Sequence, residues 1–502
     1  MPSFFEKLFK GGATADPAPS QPPKSATAQT QPAPSQAAKS ATAQTPRAPS
    51  QFDALYAQAV SAAASKDFTR AIPLYDQAIA ANPASAEPYY KRANALKDVG
   101  RLEEAVASYD RAIERRPDYA YAFCNRGAVQ QKLGLLAQAV SSLDQAIALE
   151  PTDAMAHYNR ALALQDCSRW EEAVGSYDRA VALNPQFSEA QYNRALTLLF
   201  LGDFERGWPA FEWRWNNAQR LAIGEAKSLA EPLWLGGEPI AGKRLLLHNE
   251  AGLGDTLQFC RYAKLAAAQG ATVLLQVQPS LVGLLSNLEG VSQVIPAGSA
   301  VPPFDYHCPM MSLPLAFNTT LGTVPTSRSY LHNDPAKVAQ WRKRLGERTR
   351  PRIGLTWSGN ANQPIEPRRR IPLAEWLPHL PPEFEYFCLQ KELREADRAA
   401  RDASQLIVSF DHELPDFAAT AALCECMDLV VSVDTSLAHL SGALGRRTWV
   451  LLSFVPDWRW LLDRDDSPWY PGMKLYRQKS AGDWSAVFAR ITADLRREFP
   501  TG

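Results

Sequence analysis

The feature that most narrows the fold of this chain of 502 residues is a period of 34 residues. Pro83, Pro117, Pro151 and Pro185 keep it, as do Ala71, Ala105, Ala139 and Ala173, the set Ala78, Ala112, Ala146 and Ala180, and the set Tyr75, Tyr109, Leu143 and Tyr177. A unit of that length cannot bury an apolar face alone, so the units must stack on one another. Within each unit two helical stretches meet at a short turn, marked by Gly100, Gly134 and Gly202. Small residues recur where helices cross closely, an aromatic fills the groove, and proline ends the second helix. Four units span 52–85, 86–119, 120–153 and 154–187, and a degenerate fifth from 188 keeps Tyr192, Gly202 and Phe211, which carries the repeat region over 52–221.

This pattern resembles the tetratricopeptide repeat, which implies a right-handed superhelix whose first helices line a concave groove. The sixth position of three units is Asn125, Asn159 and Asn193, each followed by arginine, whereas the neighbouring unit has Lys91-Arg92. An amide both donates and accepts, so such a ladder is suited to bracket an extended peptide backbone without reading its side chains. It resembles the ladder in the superhelix of protein O-GlcNAc transferases and implies a protein or peptide acceptor in the groove. The competing reading has these amides bonding between adjacent repeats.

Lys+Arg and Asp+Glu balance at 53 each, which argues against nucleic acid or an anionic membrane as principal partner. The seven cysteines are scattered in apolar context without a metal-ligand spacing, so a reducing compartment and no structural zinc are expected. No apolar run reaches the roughly 18 residues of a membrane span, and a soluble, cytoplasmic protein is expected. Residues 11–50, almost wholly Ala, Pro, Ser, Thr, Gln and Gly with KSATAQT written twice, read as a disordered linker. It tethers residues 1–10, where Phe4, Phe5, Leu8 and Phe9 share one face of a short helix. That terminus is either frayed or a docking peptide for a partner or membrane surface.

After the repeats the character of the chain changes. An aromatic connector over 222–242 follows Trp208, Phe211, Trp213 and Trp215, and these aromatics are expected to cap the last repeat and dock the next domain. From Lys243, short apolar runs alternate with helical ones, the mark of βα units in parallel sheets. Strands are expected at 244–248, 271–278, 292–296 and 304–310, then, beyond a polar stretch at 333–351, at 351–357, 384–390, 405–409, 427–433 and 447–452. The fold class is therefore α followed by α/β: a repeat superhelix, then two Rossmann-like halves, 243–345 and 346–502. Facing halves of this kind form the GT-B arrangement, with a cleft at the carboxyl ends of both sheets and the nucleotide sugar on the second half.

Gly252-Leu253-Gly254-Asp255 after the first strand is similar to the Gly-Asp motif of the ADP-heptose:lipopolysaccharide heptosyltransferases, and Asp434-Thr435-Ser436-Leu437-Ala438-His439 is similar to that family's Asp-Thr-Gly-x-x-His. Gly359-Asn360, Arg370-Ile371-Pro372-Leu373 and Asp457-Trp458-Arg459-Trp460-Leu461 further resemble a subgroup in which this domain follows tetratricopeptide repeats. The resemblance implies that Asp255 is the base, taking a proton from an acceptor hydroxyl as it attacks the anomeric carbon. The alternative makes Asp255 the N-cap of a helix beginning at Thr256. Gly252 and Gly254 are expected to let the backbone turn sharply towards the donor. The amides of Asp434, Thr435 and Ser436 would form a helix N-terminus that takes a diphosphate, with His439 donating one turn further in; the alternative is a structural cap. Ser436 stands where the family has glycine. Among Arg368, Arg369 and Arg370, the last is favoured to face the leaving diphosphate, and Gln390 and Lys391 are candidates for the same phosphates. Asp463-Arg464-Asp465 reads as a surface loop and not as a metal-binding DxD.

The leading expectation is an inverting glycosyltransferase that moves a sugar from a nucleotide-diphosphate donor, without metal or other cofactor, to a protein or peptide presented by the repeats. A repeat scaffold that retains the transferase fold without turnover competes with it, as does an enzyme acting on a glycan or lipid.

Overall fold

The computed structural model describes residues 50–216, 229–361 and 366–500. The expectations for residues 1–10 and most of the linker lie outside the described residues, as does part of the connector. The chain divides into two compact units, one ending at Leu183 and the other beginning at Asn184.

The first unit is built from four antiparallel helix pairs: α1 (Gln51–Ala64) with α2 (Phe68–Ala81), α3 (Ala86–Asp98) with α4 (Leu102–Arg115), α5 (Ala120–Lys132) with α6 (Leu136–Leu149), and α7 (Ala154–Asp166) with α8 (Trp170–Leu183). The alanines in period are buried because the helices approach too closely for anything larger; Ala71, Ala105, Ala139 and Ala173 have no exposed surface. Gly127 shows how close: a Cβ there would lie 2.6 Å from Leu143 Cγ. Each first helix ends the same way. The amides of Asp67, Arg101, Leu135 and Arg169 donate back to the carbonyls of Ala62, Leu96, Gln130 and Leu164, all at 2.9 Å, which closes a Schellman-type turn. That turn requires a left-handed residue before the donor, and Lys66, Gly100, Gly134 and Ser168 take φ of 60, 79, 79 and 58°.

The fifth pair, α9 (Ser188–Phe200) with α10 (Phe204–Phe211), belongs to the second unit. Its aromatics do the docking expected of them. Trp208 Nε1 donates to Thr319 O at 3.0 Å, and its ring meets Trp458 edge-on at 5.3 Å, while Phe204 packs on Trp469. Trp234, from the connector, is buried against Phe317, and the neighbouring Leu233 bridges to the sheet edge at His307.

Two wholly parallel sheets follow. β1 (Arg244–His248), β2 (Thr272–Val277), β3 (Val291–Pro296) and β4 (Tyr306–Pro309) pair in the order β3-β2-β1-β4. β5 (Arg352–Thr356), β6 (Glu385–Cys388), β7 (Ile407–Ser409), β8 (Leu429–Val433), β9 (Thr448–Leu452) and β10 (Met473–Arg477) pair in the order β10-β9-β8-β5-β6-β7. Helices cover both faces, so β8 is buried at every residue, which explains its unbroken apolar run. In each sheet the chain starts in the middle, works outward, then returns to the other side, so the order reverses between β1 and β4 and between β5 and β8. Crevices open at such reversals, outside the carboxyl ends of the strands. Helix α11 (Leu253–Phe259) leaves the end of β1 and helix α12 (Ser436–Ala443) the end of β8, and the two pack on each other.

Two expectations about this region need correction. The polar stretch 333–351 holds a helix, Pro335–Leu345, capped by Asp334 and stopped at Gly346 with φ of 71°. Its Trp341 packs on Phe410 at 5.1 Å and Arg344 pairs with Glu413 at 3.3 Å, so it joins the second sheet, and the break between sheet layers falls before residue 335. The second sheet also has a sixth strand, β10, where no strand was expected.

One buried charge ties the fifth repeat to the sheet. Arg214, in the turn after α10, has no exposed surface; Nε and Nη2 donate to both oxygens of Glu250 at 2.9 and 3.0 Å, and Nη2 also to Ser312 Oγ at 2.6 Å. Glu250 lies between β1 and α11 and accepts from the Met311 amide as well. Arg214→Ala strands that carboxylate without its cation and is expected to cost about 3–5 kcal/mol, read as a lower denaturant midpoint; a change under 1 kcal/mol would dismiss the tie.

Candidate functional site

The two motifs singled out in the sequence meet in space. Helix α11 begins at Leu253, not Thr256, with Gly252 as its N-cap, so Asp255 is the third helical residue and Oδ2 accepts from the Gly252 amide at 2.8 Å. Neither glycine is in the left-handed region, so the expected sharp turn is not their reason. Gly254 is required for approach: a Cβ on it would sit 2.8 Å from His439 Cδ2 and 3.6 Å from Ser436 Cα. The Gly-x-Gly-Asp turn is thus pressed onto the start of α12.

In that start, Thr435 and not Asp434 is the N-cap, accepting from Leu437 N at 3.3 Å and hydrogen-bonded to Ser432 Oγ at 3.1 Å. His439 lies one turn in, buried, stacked on Trp460 at 5.5 Å, with Nδ1 2.9 Å from Tyr470 Oη and Nε2 on the Gly254 side. Burial, and then the cations Arg459, Arg261 and Arg369, hold its pKa well below the usual histidine range, so the ring is neutral at neutral pH. Asp434 is pushed up to about 6 by burial and by Asp457, against the pull of Arg369.

Arg459, from the loop after β9, reaches across to Asp255: Nη2 donates to Asp255 Oδ1, Nη1 to Asp457 Oδ1 at 2.8 Å and Nε to Gln258 Oε1 at 2.7 Å. Burial raises the Asp255 pKa, and Arg459 opposes it. Arg459 lies in Asp457-Trp458-Arg459-Trp460-Leu461, and its pairing with Asp255 spans 204 positions, which no local pattern encodes.

Among the three arginines, Arg369 and not Arg370 reaches the second motif. Its Nη1 donates to the Asp434 carbonyl at 2.7 Å and its Nε to Glu366 at 2.9 Å, where the buried carboxylate also accepts from Arg394 and the Gly359 amide. Lys391 is exposed and donates to Pro415 O at 3.2 Å, and Gln390 is spent on the end of β5, accepting from Trp357 and Ser358 amides at 2.6 and 3.0 Å. Asp463 and Asp465 are exposed, the latter paired with Arg490 at 2.6 Å.

Two of the three asparagines face the preceding repeat. Asn125 Nδ2 donates to Tyr90 Oη and Asn94 Oδ1 of the preceding unit, both at 3.1 Å, and Asn159 Nδ2 points to Cys124 Sγ at 3.5 Å. Asn193 is buried on α9 of the second unit. The donors of Asn125 are therefore engaged between repeats, as the competing reading had it. The arginines of the next register make a second tie between units: Arg92, Arg126 and Arg160 pair with Asp76, Asp110 and Asp144 of the preceding unit at 2.7, 2.6 and 2.6 Å. Each also donates to a serine of its own unit, Ser108, Ser142 or Ser176.

Tetratricopeptide repeat family models match residues 34–86, 74–107, 94–134, 120–153 and 158–212, and the repeats are of that type. Protein FlbA of Caulobacter vibrioides is 27% identical over 323 residues, which is 60% of this chain, and the chain matches about half (53%) of the length of that relative. Solved structures similar to the repeats include MamA of Desulfovibrio magneticus, at 21% identity over 36% of this chain and all of that chain with a TM-score of 0.31. Another is YrrB, described as a repeat protein with an unusual peptide-binding site, at 20% identity over 35% of this chain and 94% of that one with a TM-score of 0.30.

Close packing of the two motifs makes unequal glycines. Gly254→Ala is expected to cost about 1–3 kcal/mol in chemical denaturation, because His439 must yield, whereas Gly252→Ala, which faces only Asp255 Oδ2, costs less. Equal costs would refute the contact. In the repeats, Asn125→Ala is expected to lower stability by about 0.5–1.5 kcal/mol in the same measurement, the loss of an inter-repeat bond.

Proposed function

We propose that the chain is an inverting glycosyltransferase of GT-B architecture, its two parallel sheets forming Rossmann-like halves, and that it moves a sugar from a nucleotide-diphosphate donor without a metal. The observation that carries this reading is the seating of Gly254 on His439 and Ser436, which joins two motifs that resemble those of the heptosyltransferases at the carboxyl ends of both sheets. Asp255 takes the proton of the acceptor hydroxyl as its oxygen attacks the anomeric carbon from the face opposite the leaving nucleotide. The amides at the start of α12 and the Thr435 hydroxyl receive the diphosphate. Neutral His439 offers Nε2 as an uncharged partner, and Arg369, anchored to the Asp434 carbonyl, supplies the cation beside the leaving charge that was expected of Arg370.

The repeats recruit the acceptor as a protein scaffold. With the Asn125 donors engaged between units, recognition of a peptide falls to other groove residues, so a protein acceptor, a glycan and a lipid are separated by assay of each class.

Purified full-length protein with a panel of nucleotide sugars is expected to release nucleoside diphosphate. Asp255→Asn is expected to bind the donor normally and lower transfer by a factor on the order of 100 or more. Chelator is expected to leave the rate unchanged. Near-normal turnover of Asp255→Asn removes it from the chemistry, and a wild-type chain inert towards every donor favours the scaffold reading.

A further inference from the structure

The carboxylate of Asp255 is held at both ends. One end belongs to its own turn, where the Gly252 amide donates to Oδ2; the other is taken by a guanidinium from the loop after β9 of the second sheet. We propose that Arg459 is the positioning residue of the Asp255 carboxylate, fixing Oδ1 so that one face of the group is presented to the acceptor. The proposal rests on the reading of Asp255 as base.

Arg459 is itself immobilised, which a positioning group must be. Its side chain is 8% exposed and lies over the face of Trp458 at 4.3 Å. Two further donors of the same planar fork are committed, Nη1 to Asp457 beside it in sequence and Nε to Gln258, which stands on α11 itself. The fork therefore reads two positions of α11 at once, Asp255 and Gln258, and ties them to the loop after β9. Lysine, a single point charge, cannot make three bonds in fixed directions.

The same contact sets the charge on the base. Asp255 faces Glu250 from its own loop, Asp457 and Arg459 from the loop after β9, and, through Gly254, neutral His439 from α12; Asp434 faces Arg459 from the turn after β8. Among the described residues of this group, Arg459 is the cation that donates to Asp255. Asp255 acts as base only when deprotonated, so loss of Arg459 raises its midpoint and moves the acidic limb of the transfer rate to higher pH.

Carbodiimide labelling of the Asp255 carboxyl in the full chain, followed by peptide mass spectrometry across a pH series, reads its protonation without turnover. Arg459→Met is expected to raise the labelling midpoint by about 1–3 pH units. Arg459→Lys is expected to keep the midpoint close to wild type and still lower kcat with donor KM unchanged, since it retains the charge and loses the fork. If Arg459→Met fails to fold by circular dichroism, Asp457→Asn supplies the opposite sign, a lowered midpoint. An unchanged midpoint in the folded variant overturns the proposal even where transfer is intact. A shifted midpoint in a protein that transfers no sugar keeps the hold of Arg459 on Asp255 and removes only the assignment of that carboxylate as base.

Discussion

Arg214 carries a full charge with no surface in water, and the placement of the first motif depends on how that charge is neutralised. A guanidinium so buried is tolerable only if every donor is met, and here Glu212, Glu250, Ser312 and the Phe211 carbonyl meet them. Glu250 is five positions before Asp255, so the turn after the fifth helix pair fixes where α11 starts. The fifth pair thereby behaves as part of the sheet unit and not as the last member of the array, which is where the chain divides. Degeneracy of that repeat follows: residues elsewhere spent on stacking are here spent on Trp458, Trp469 and Thr319.

The repeats were legible because identical packing demands identical spacing, and alanine, tyrosine and proline each hold their register for a separable reason. The central parallel strands were legible for the opposite reason: β1, β5, β8 and β9 are buried almost throughout and so become short apolar runs. β10 escaped because it is an edge strand whose apolar run is broken by Lys474 and Arg477, in Met473-Lys474-Leu475-Tyr476-Arg477, amid an aromatic segment. The motifs themselves were visible, but not the groups that complete them. Arg369 and Arg370 are adjacent and chemically identical, and only the turn begun at Glu366 decides which one faces Asp434. The asparagine ladder was seen and its direction was not, since one period serves equally a groove and a strut.

Charge at the meeting of the motifs is arranged in alternation. Arg459 stands between Asp255 and Asp457 and donates to both, while Arg369 is tied to the Asp434 carbonyl and its charge opposes that of Asp457 on Asp434. His439 fits the scheme by staying uncharged: three arginines surround it, and a fourth positive charge would have to be solvated by nothing.

The left-handed residue between the two helices of each repeat is glycine in some units and not in others. Lys66 and Ser168 occupy it at φ of 60 and 58°, where a Cβ costs about 1–2 kcal/mol that Gly100 and Gly134 avoid. In a linear array whose stability is the sum of unit and neighbour terms, that difference ranks the units. The first and fourth units therefore carry a local backbone cost at the turn between their helices that the second and third do not.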